Sequence, residues 1–447
     1  MAKKSKNQKT LKIHDDGVDV AGEAAGKETF AEEGAVDQEA PVVPEDLQVF
    51  VPGIRHLEEG EELEVDPSAY YMLHSFTTEW PCLSFDVLRG GLGSSCLTDK
   101  YPQSATIVAG SQAQHMDENR LYVIKCREMG RTGGWTEEEE ANRLEDEDEE
   151  DAEKDPVIET HAIKHTGGSN RVRCVEFGGR SFAASWSDVG KVFVFDVTSL
   201  ILTEPSNSDL KPTFTVSGHA TEGFALAWSE QGLLTGDCQG SILLTRTDGT
   251  STAFKNAHTA SVEDLQWLSE STFLSASVDQ TVRLWDSRAA EPQMTFEGLH
   301  AADINVLSVN KTHDYLLATG GDEGAVRVWD LRMLKKTSQK YMPVANFNWH
   351  TQPITGLEWH PFDSSVLASS GSDDQLAIWD LAVERDLEQL IKDGGKEADE
   401  VMQVPPQLLF IHQGQQDMKE LHWHPNHSGT IINTSADSFN IFRTISV

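Results

Sequence analysis

Positive charge is scarce in this chain of 447 residues: 36 Lys and Arg stand against 73 Asp and Glu, a formal net charge of −37. So acidic a surface repels phosphate, which argues against direct nucleic-acid binding and makes basic proteins the natural partners. Cysteine is sparse too. The five present (Cys82, Cys96, Cys126, Cys174, Cys238) form no C-x-x-C pair and leave one unmatched, which suits a reducing, intracellular compartment better than a disulfide framework. No apolar run approaches the roughly eighteen residues of a membrane span, and no apolar segment follows Met1, so neither span nor secretory signal is expected. The motifs of common hydrolytic and nucleotide chemistry are missing: there is no G-x-x-x-x-G-K-[ST], no G-x-S-x-G and no H-E-x-x-H. Neither a cofactor nor an enzymatic activity is expected.

Repetition is what the chain has instead. The stretch Asp279 to Asp286, Asp-Gln-Thr-Val-Arg-Leu-Trp-Asp, returns as Gly-Ala-Val-Arg-Val-Trp-Asp ending at Asp330 and as Gln-Leu-Ala-Ile-Trp-Asp ending at Asp380. A Phe-Asp form ends at Asp196, degenerate copies end at Arg246 and Arg443, and Leu121 to Lys125 supplies one more. These anchors are mostly about 40 to 50 residues apart, the spacing of a four-stranded propeller blade. Between them recur a His, an apolar-alternating strand, a strand rich in Ser and Ala, and a turn with Asp. The set His258, Asp279, Trp285 thus matches His300, Asp322, Trp329 and His350, Asp373, Trp379. An all-β, seven-bladed propeller is expected, with 38% hydrophobic residues sufficient for its core. The pattern resembles the WD-repeat β-propellers, in which the loop His, turn Asp and strand Trp support one another by hydrogen bonds. That resemblance gives these residues a structural role, not a catalytic one.

Residues 1–65 read as a mostly disordered arm. It starts with a basic patch at Lys3, Lys4, Lys6, Lys9 and Lys12, which fits a nuclear or nucleolar address and equally a solvated tail. From about Asp15 to Glu64 it is acidic and poor in aromatics, with too little apolar surface to offset ordering; Gln48 to Gly53 is a short extended apolar exception. The propeller is assigned to 66–447. Asp66 reads as a helix N-cap with Pro67 at the first helical position, and Tyr70, Leu73 and Phe76 at threes predict a short N-terminal helix with one apolar stripe, ended by Trp80-Pro81. Cys82 to Leu88 is expected to pair with the C-terminal strand around Ile441 to Thr444, closing the ring and removing two exposed edges.

Two stretches break the blade rhythm. Residues 136–155 hold Glu137, Glu138, Glu139, Glu140, then Glu145, Asp146, Glu147, Asp148, Glu149, Glu150 and Asp151, a block of like charge expected to stay extended and disordered. Residues 382–407 form a second insertion, with Glu397, Asp399 and Glu400 before Pro405-Pro406.

Three features resemble the histone-binding chaperone subunits among the WD-repeat proteins: Glu79-Trp80-Pro81, Pro405-Pro406 through His412 after the acidic insertion, and Leu421-His422-Trp423-His424-Pro425. The match is closer to the glutamate-rich WD-repeat family, on Val51-Pro52-Gly53, Ser68-Ala69-Tyr70, Met72-Leu73-His74, Trp80 to Asp86, Asn170-Arg171-Val172-Arg173, Trp379 to Asp386 and Phe442 to Val447. This resemblance implies a side groove for a basic client helix, built from Tyr70, Leu73, Phe76, Leu409 and Phe410 with an acidic lip at Glu397, Asp399 and Glu400. It implies a nuclear, largely nucleolar chaperone that escorts newly made large-subunit ribosomal protein uL three into 60S assembly, with the Glu137 to Asp151 run shielding client charge. Histones are the alternative client.

Two rival readings have residues of their own. Trp285-Asp286-Ser287-Arg288 and Trp329-Asp330-Leu331-Arg332 fit the W-D-x-R pattern of substrate receptors of cullin-four ubiquitin ligases, with Arg288 and Arg332 as docking residues. His422 and His424 alternate as metal ligands can, but no third ligand stands nearby at metal-site spacing. A monomer is expected, since a closed propeller completes its own core.

Overall fold

A computed structural model describes residues 2–5, 48–50, 62–89, 100–134, 155–202, 210–334, 341–384 and 404–447. From Asp66 to Val447 the chain makes seven four-stranded antiparallel sheets, the blades of a propeller. Blade 1 runs from Cys82–Leu88 to Val157–Lys164, and blade 2 from Ser169–Phe177 to Phe214–Val216. Blades 3 to 6 start at Ala225–Ser229, Val262–Trp267, Ile304–Val309 and Ile354–Trp359, each first strand innermost. Only two short helices interrupt the described strands, Thr198–Leu202 and Leu331–Leu334. Ala2–Ser5, Gln48–Phe50 and Glu62–Val65 make a three-stranded sheet of their own, with Lys3 and Lys4 on its central strand. The rest of the 1–65 arm, Lys6 included, lies outside the described residues.

Middle strands do not alternate buried and exposed positions as a half-buried strand would. All six residues of Val366–Gly371 are buried, because neighbouring blades cover both faces of each sheet. The core is accordingly divided into apolar clusters between successive blades; one joins Leu274, Leu284 and Phe296 of blade 4 to Leu307 and Trp329 of blade 5.

The last blade departs from the sequence reading. Its strands Met418–Trp423, Thr430–Ser435 and Phe439–Thr444 are completed by Tyr70–Phe76, which pairs Phe76 with Phe439 and Tyr70 with Thr444. The expected helix is therefore a single 3-10 turn, Pro67–Ala69, capped by Asp66 as foreseen. Ring closure by an N-terminal strand holds, but one strand earlier than expected, since Cys82–Leu88 is the innermost strand of blade 1 and pairs with Gln103–Ser111. The physical reason is a choice of period. Met72 and Phe76, an even number of positions apart, share the face toward blade 1, and extended pairing satisfies the edge of Phe439–Thr444, which a short helix would leave bare.

Within blades 4 to 6 the buried polar groups pair as the repeat implied. His258 Nδ1 lies 3.0 Å from Asp279 Oδ2 and its Nε2 lies 2.7 Å from Ser275 Oγ, which also accepts from Trp285 Nε1 at 2.9 Å. His350, Asp373, Ser369 and Trp379 repeat this arrangement. Blade 5 differs by one residue. His300 Nδ1 meets Glu323 at 2.7 Å rather than Asp322, whose carboxylate instead accepts from Asn305 Nδ2 at 2.8 Å.

Candidate functional site

The predicted groove residues divide between two sides of the closing strand Tyr70–Phe76. Tyr70 is buried at the junction of blades 6 and 7, its ring edge-on to Phe410 at 5.3 Å and to Phe442 at 6.0 Å. The Tyr70 hydroxyl lies 2.8 Å from His412 Nδ1, and Asn440 Nδ2 donates to His412 Nε2 at 3.0 Å. Burial pushes the His412 imidazole down to about 3 and the Tyr70 phenol above its usual value, so both are neutral hydrogen-bonding groups. Tyr70 and Phe410 thus hold the seam shut and offer no surface to a client. Leu73 and Leu409 are half-buried against the same apolar cluster and are the groove residues left partly accessible on this side of the strand. Phe76 faces the other way, stacked on Phe439 at 5.0 Å over the junction of blades 7 and 1. Glu397, Asp399, Glu400 and the run Glu137 to Asp151 lie outside the described residues.

The residues that lead into the first acidic insertion and out of the second converge on this strand. After the third strand of blade 1, Arg120–Met129, the chain crosses to blade 7: Thr132 N–H donates to the Tyr71 carbonyl at 3.0 Å, and Leu73 N–H donates to Thr132 Oγ1 at 2.9 Å. Gly133 is needed here, because a Cβ would stand 2.2 Å from the Pro67 carbonyl oxygen. Arg131 and Arg443 lie over the Tyr71 ring at 5.2 and 5.6 Å, a double cation–π contact that pins the crossing. The second insertion re-enters through Pro405, whose carbonyl accepts from Leu408 N–H at 3.0 Å, directly into Leu408–His412 beside Tyr70. Sequence reasoning missed Tyr71, Arg131, Thr132 and Arg443, which come from three distant stretches.

A second missed group lies at the inner rim. Glu420 of blade 7 is 3% exposed and accepts from Ser84 Oγ at 2.6 Å and Phe85 N–H at 2.9 Å in blade 1, and from Arg171 and Arg173 of blade 2 at 2.8 Å each. Burial alone would raise its pKa, but the two guanidinium groups hold it well below the usual carboxylate value. One signal was available, since two arginines alternating on an inner strand of an acidic chain require a buried counter-charge. Beside it, His422 Nδ1 sits 3.0 Å from Glu358 Oε2; burial lowers its pKa, yet Glu358 and Glu420 outweigh that and hold it at about 10. Such a protonated imidazole is a counter-ion, not a metal ligand, and His424 Nδ1 is taken up in accepting the Asn426 and His427 N–H groups. Arg288 and Arg332 are kept out of the seam: each is bonded to the Asp two residues before it, Asp286 and Asp330, and each is more than half exposed.

Comparison with known proteins agrees with this architecture. The chain is 39% identical over 405 residues to ribosome assembly protein rrb1 of Schizosaccharomyces pombe, covering 86% of this chain and 82% of that one. It is 39% identical over 427 residues to glutamate-rich WD repeat-containing protein 1 of Dictyostelium discoideum, covering 89% and 85%. The chain belongs to the glutamate-rich WD-repeat family. The family of histone-binding protein RBBP4 and the corresponding component of the CAF1 complex matches residues 60–129, which include the closing strand and three strands of blade 1. The WD domain, G-beta repeat, matches 249–286, 290–330 and 341–380. Among solved structures the WD40 propeller domain of Doa1 is similar in fold, with a TM-score of 0.55 at 15% identity over 84% of this chain and 96% of that one.

Proposed function

We propose that this protein is a non-enzymatic chaperone of a basic client, newly made large-subunit ribosomal protein uL three, which it holds for 60S assembly in the nucleus and nucleolus. The observation that carries the reading is the convergence on Tyr70–Phe76 of one chain segment that enters an acidic insertion and one that leaves the other, beside the half-buried Leu73 and Leu409. Similarity over most of the chain to a ribosome assembly protein supports it, as does the net charge of −37. Apolar seam contacts give specificity and the acidic runs speed encounter. Exposed ion pairs contribute only about 0.2 to 1 kcal/mol each, so the carboxylates act chiefly through long-range attraction, which fades with salt because the Debye length is about 8 Å at physiological ionic strength.

A histone client is the second reading, favoured by the histone-binding family match at residues 60–129. Competition at physiological salt separates the two: labelled uL three is bound to the purified chain and a histone dimer is titrated against it. Preference for uL three is expected. Preference for the histone dimer would move the function to chromatin assembly.

A further inference from the structure

Propeller blades end in outer strands whose free edge is a place for another chain to pair, and proteins usually blunt such edges by shortness or by cover. Five blades here do the former: Phe214–Val216, Ser251–Phe254, Met294–Glu297, Ala345–Phe347 and Leu408–His412 have three to five residues. The closing strand Tyr70–Phe76 is longer and is covered by Thr132. Blade 1 does neither. Its outer strand Val157–Lys164 has eight residues, all paired in unbroken register with Arg120–Arg127 on one side.

The phase of its free side follows from one bond. His165 N–H donates to the Asn119 carbonyl at 3.1 Å, and antiparallel bonding alternates, so residues 157, 159, 161 and 163 bond inward. Ile158, Thr160, Ala162 and Lys164 therefore turn their N–H and C=O groups outward, and none of these groups has a partner among the described residues. The edge carries no break in register and is about 20 Å long at ~3.4 Å per residue, and Ile158 on it is 39% exposed.

We propose that Ile158–Lys164 accepts an extended, basic segment of the client as a fifth strand of blade 1. This rests on the chaperone reading and names where part of the client is held. Charge selects the occupant. The strand issues from residues 137–155, which carry 13 Asp and Glu against Arg143 and Lys154, a net of −11 (2 − 13). A second copy of this chain brings its own −37 to the same edge and is repelled, whereas a strand alternating Lys or Arg with β-branched residues is attracted and pairs.

The test is amide hydrogen exchange on the full chain with a nine-residue peptide alternating Lys and Val, its Glu-Val counterpart, and uL three itself. Protection of the Ile158, Thr160, Ala162 and Lys164 amides by the Lys-Val peptide and by uL three, with none from the Glu-Val peptide, is expected. Thr160→Pro removes an outward N–H and leaves the inward ladder intact, so it should weaken the Lys-Val peptide at least tenfold with an unchanged melting temperature. No protection at these four amides by the Lys-Val peptide overturns the proposal, a result that does not depend on Thr160→Pro folding. So does binding of uL three that protects other amides only, which leaves the chaperone reading standing. Failure of uL three to bind while the Lys-Val peptide protects the edge overturns that reading instead, and with it the choice of occupant.

Discussion

Glu420→Gln should be among the most damaging single-atom-scale changes in the propeller. The substitution keeps the shape and one acceptor but leaves Arg171 and Arg173, which are 14% and 20% exposed at the side chain, without the carboxylate both now bond. Removing one partner of a buried ion pair costs about 3 to 5 kcal/mol. The unit from Asp66 to Val447, at about 2.1 cal/mol/K per residue, has an unfolding entropy on the order of 0.8 kcal/mol/K. The melting temperature should therefore fall by about 4 to 6 °C, read by circular dichroism at pH 7. Glu176→Gln, at an exposed position on the same inner strand as the two arginines, is the control and should shift it by less than about 1 °C. Adding Arg173→Met to Glu420→Gln should recover part of the loss, since it removes one unpaired charge. Equal melting temperatures for Glu420→Gln and the native chain would refute the view that this carboxylate ties blade 7 to blades 1 and 2.

The remaining predictions concern closure, pH and encounter. Starting the chain at Cys82 rather than Asp66 removes the closing strand with buried Tyr70 and Met72, each side chain contributing about 1.5 to 3 kcal/mol, and should lower the melting temperature by about 4 to 8 °C; deleting Ile441–Val447 should act likewise. Stability should peak near pH 6.5 to 7. Burial holds His412 and His424 down at about 3, so their contribution is present above the unfolded value near 6.5 and lost as pH falls below it, about 2 kcal/mol each by pH 5. His422, held up at about 10, contributes fully below 6.5 and loses that contribution between 6.5 and 10, so a melting profile flat from pH 5 to 9.5 would contradict both signs. Neutralising Glu145 to Asp151 should slow association with uL three in stopped-flow and flatten its salt dependence, with little effect on dissociation.

Local repeats are legible in the sequence because one blade's hydrogen bonds span short distances along the chain: His258 to Asp279 is 21 residues and His350 to Asp373 is 23. The exchange of Asp322 for Glu323 at His300 is not legible, since adjacent carboxylates look alike until the turn geometry is fixed. Tyr70, Leu73 and Phe76 at threes read as a helix, while Met72 and Phe76 at an even spacing are an equally available pattern; the bare edge of Phe439–Thr444, 365 residues away, decides between them. Glu420 was hidden for the same reason, with partners 249 and 336 residues distant. Of the groove residues inferred from family resemblance, Leu73 and Leu409 are half-buried against one apolar cluster, Tyr70 and Phe410 are buried within it, and Phe76 belongs to the neighbouring junction. A resemblance transfers positions along a strand; which side of the strand each one faces is set by packing.

If the seam beside Tyr70–Phe76 grips a basic ribosomal client, as proposed, removing its apolar side chains must loosen that grip. The most direct test is the equilibrium affinity of labelled uL three at physiological salt for the native chain and for a chain carrying Leu73→Ser and Leu409→Ser. With folding verified by melting, about tenfold weaker binding, about 1.4 kcal/mol, is expected through faster dissociation at an unchanged association rate. Affinity equal to that of the native chain would contradict it and place the grip elsewhere than at this seam.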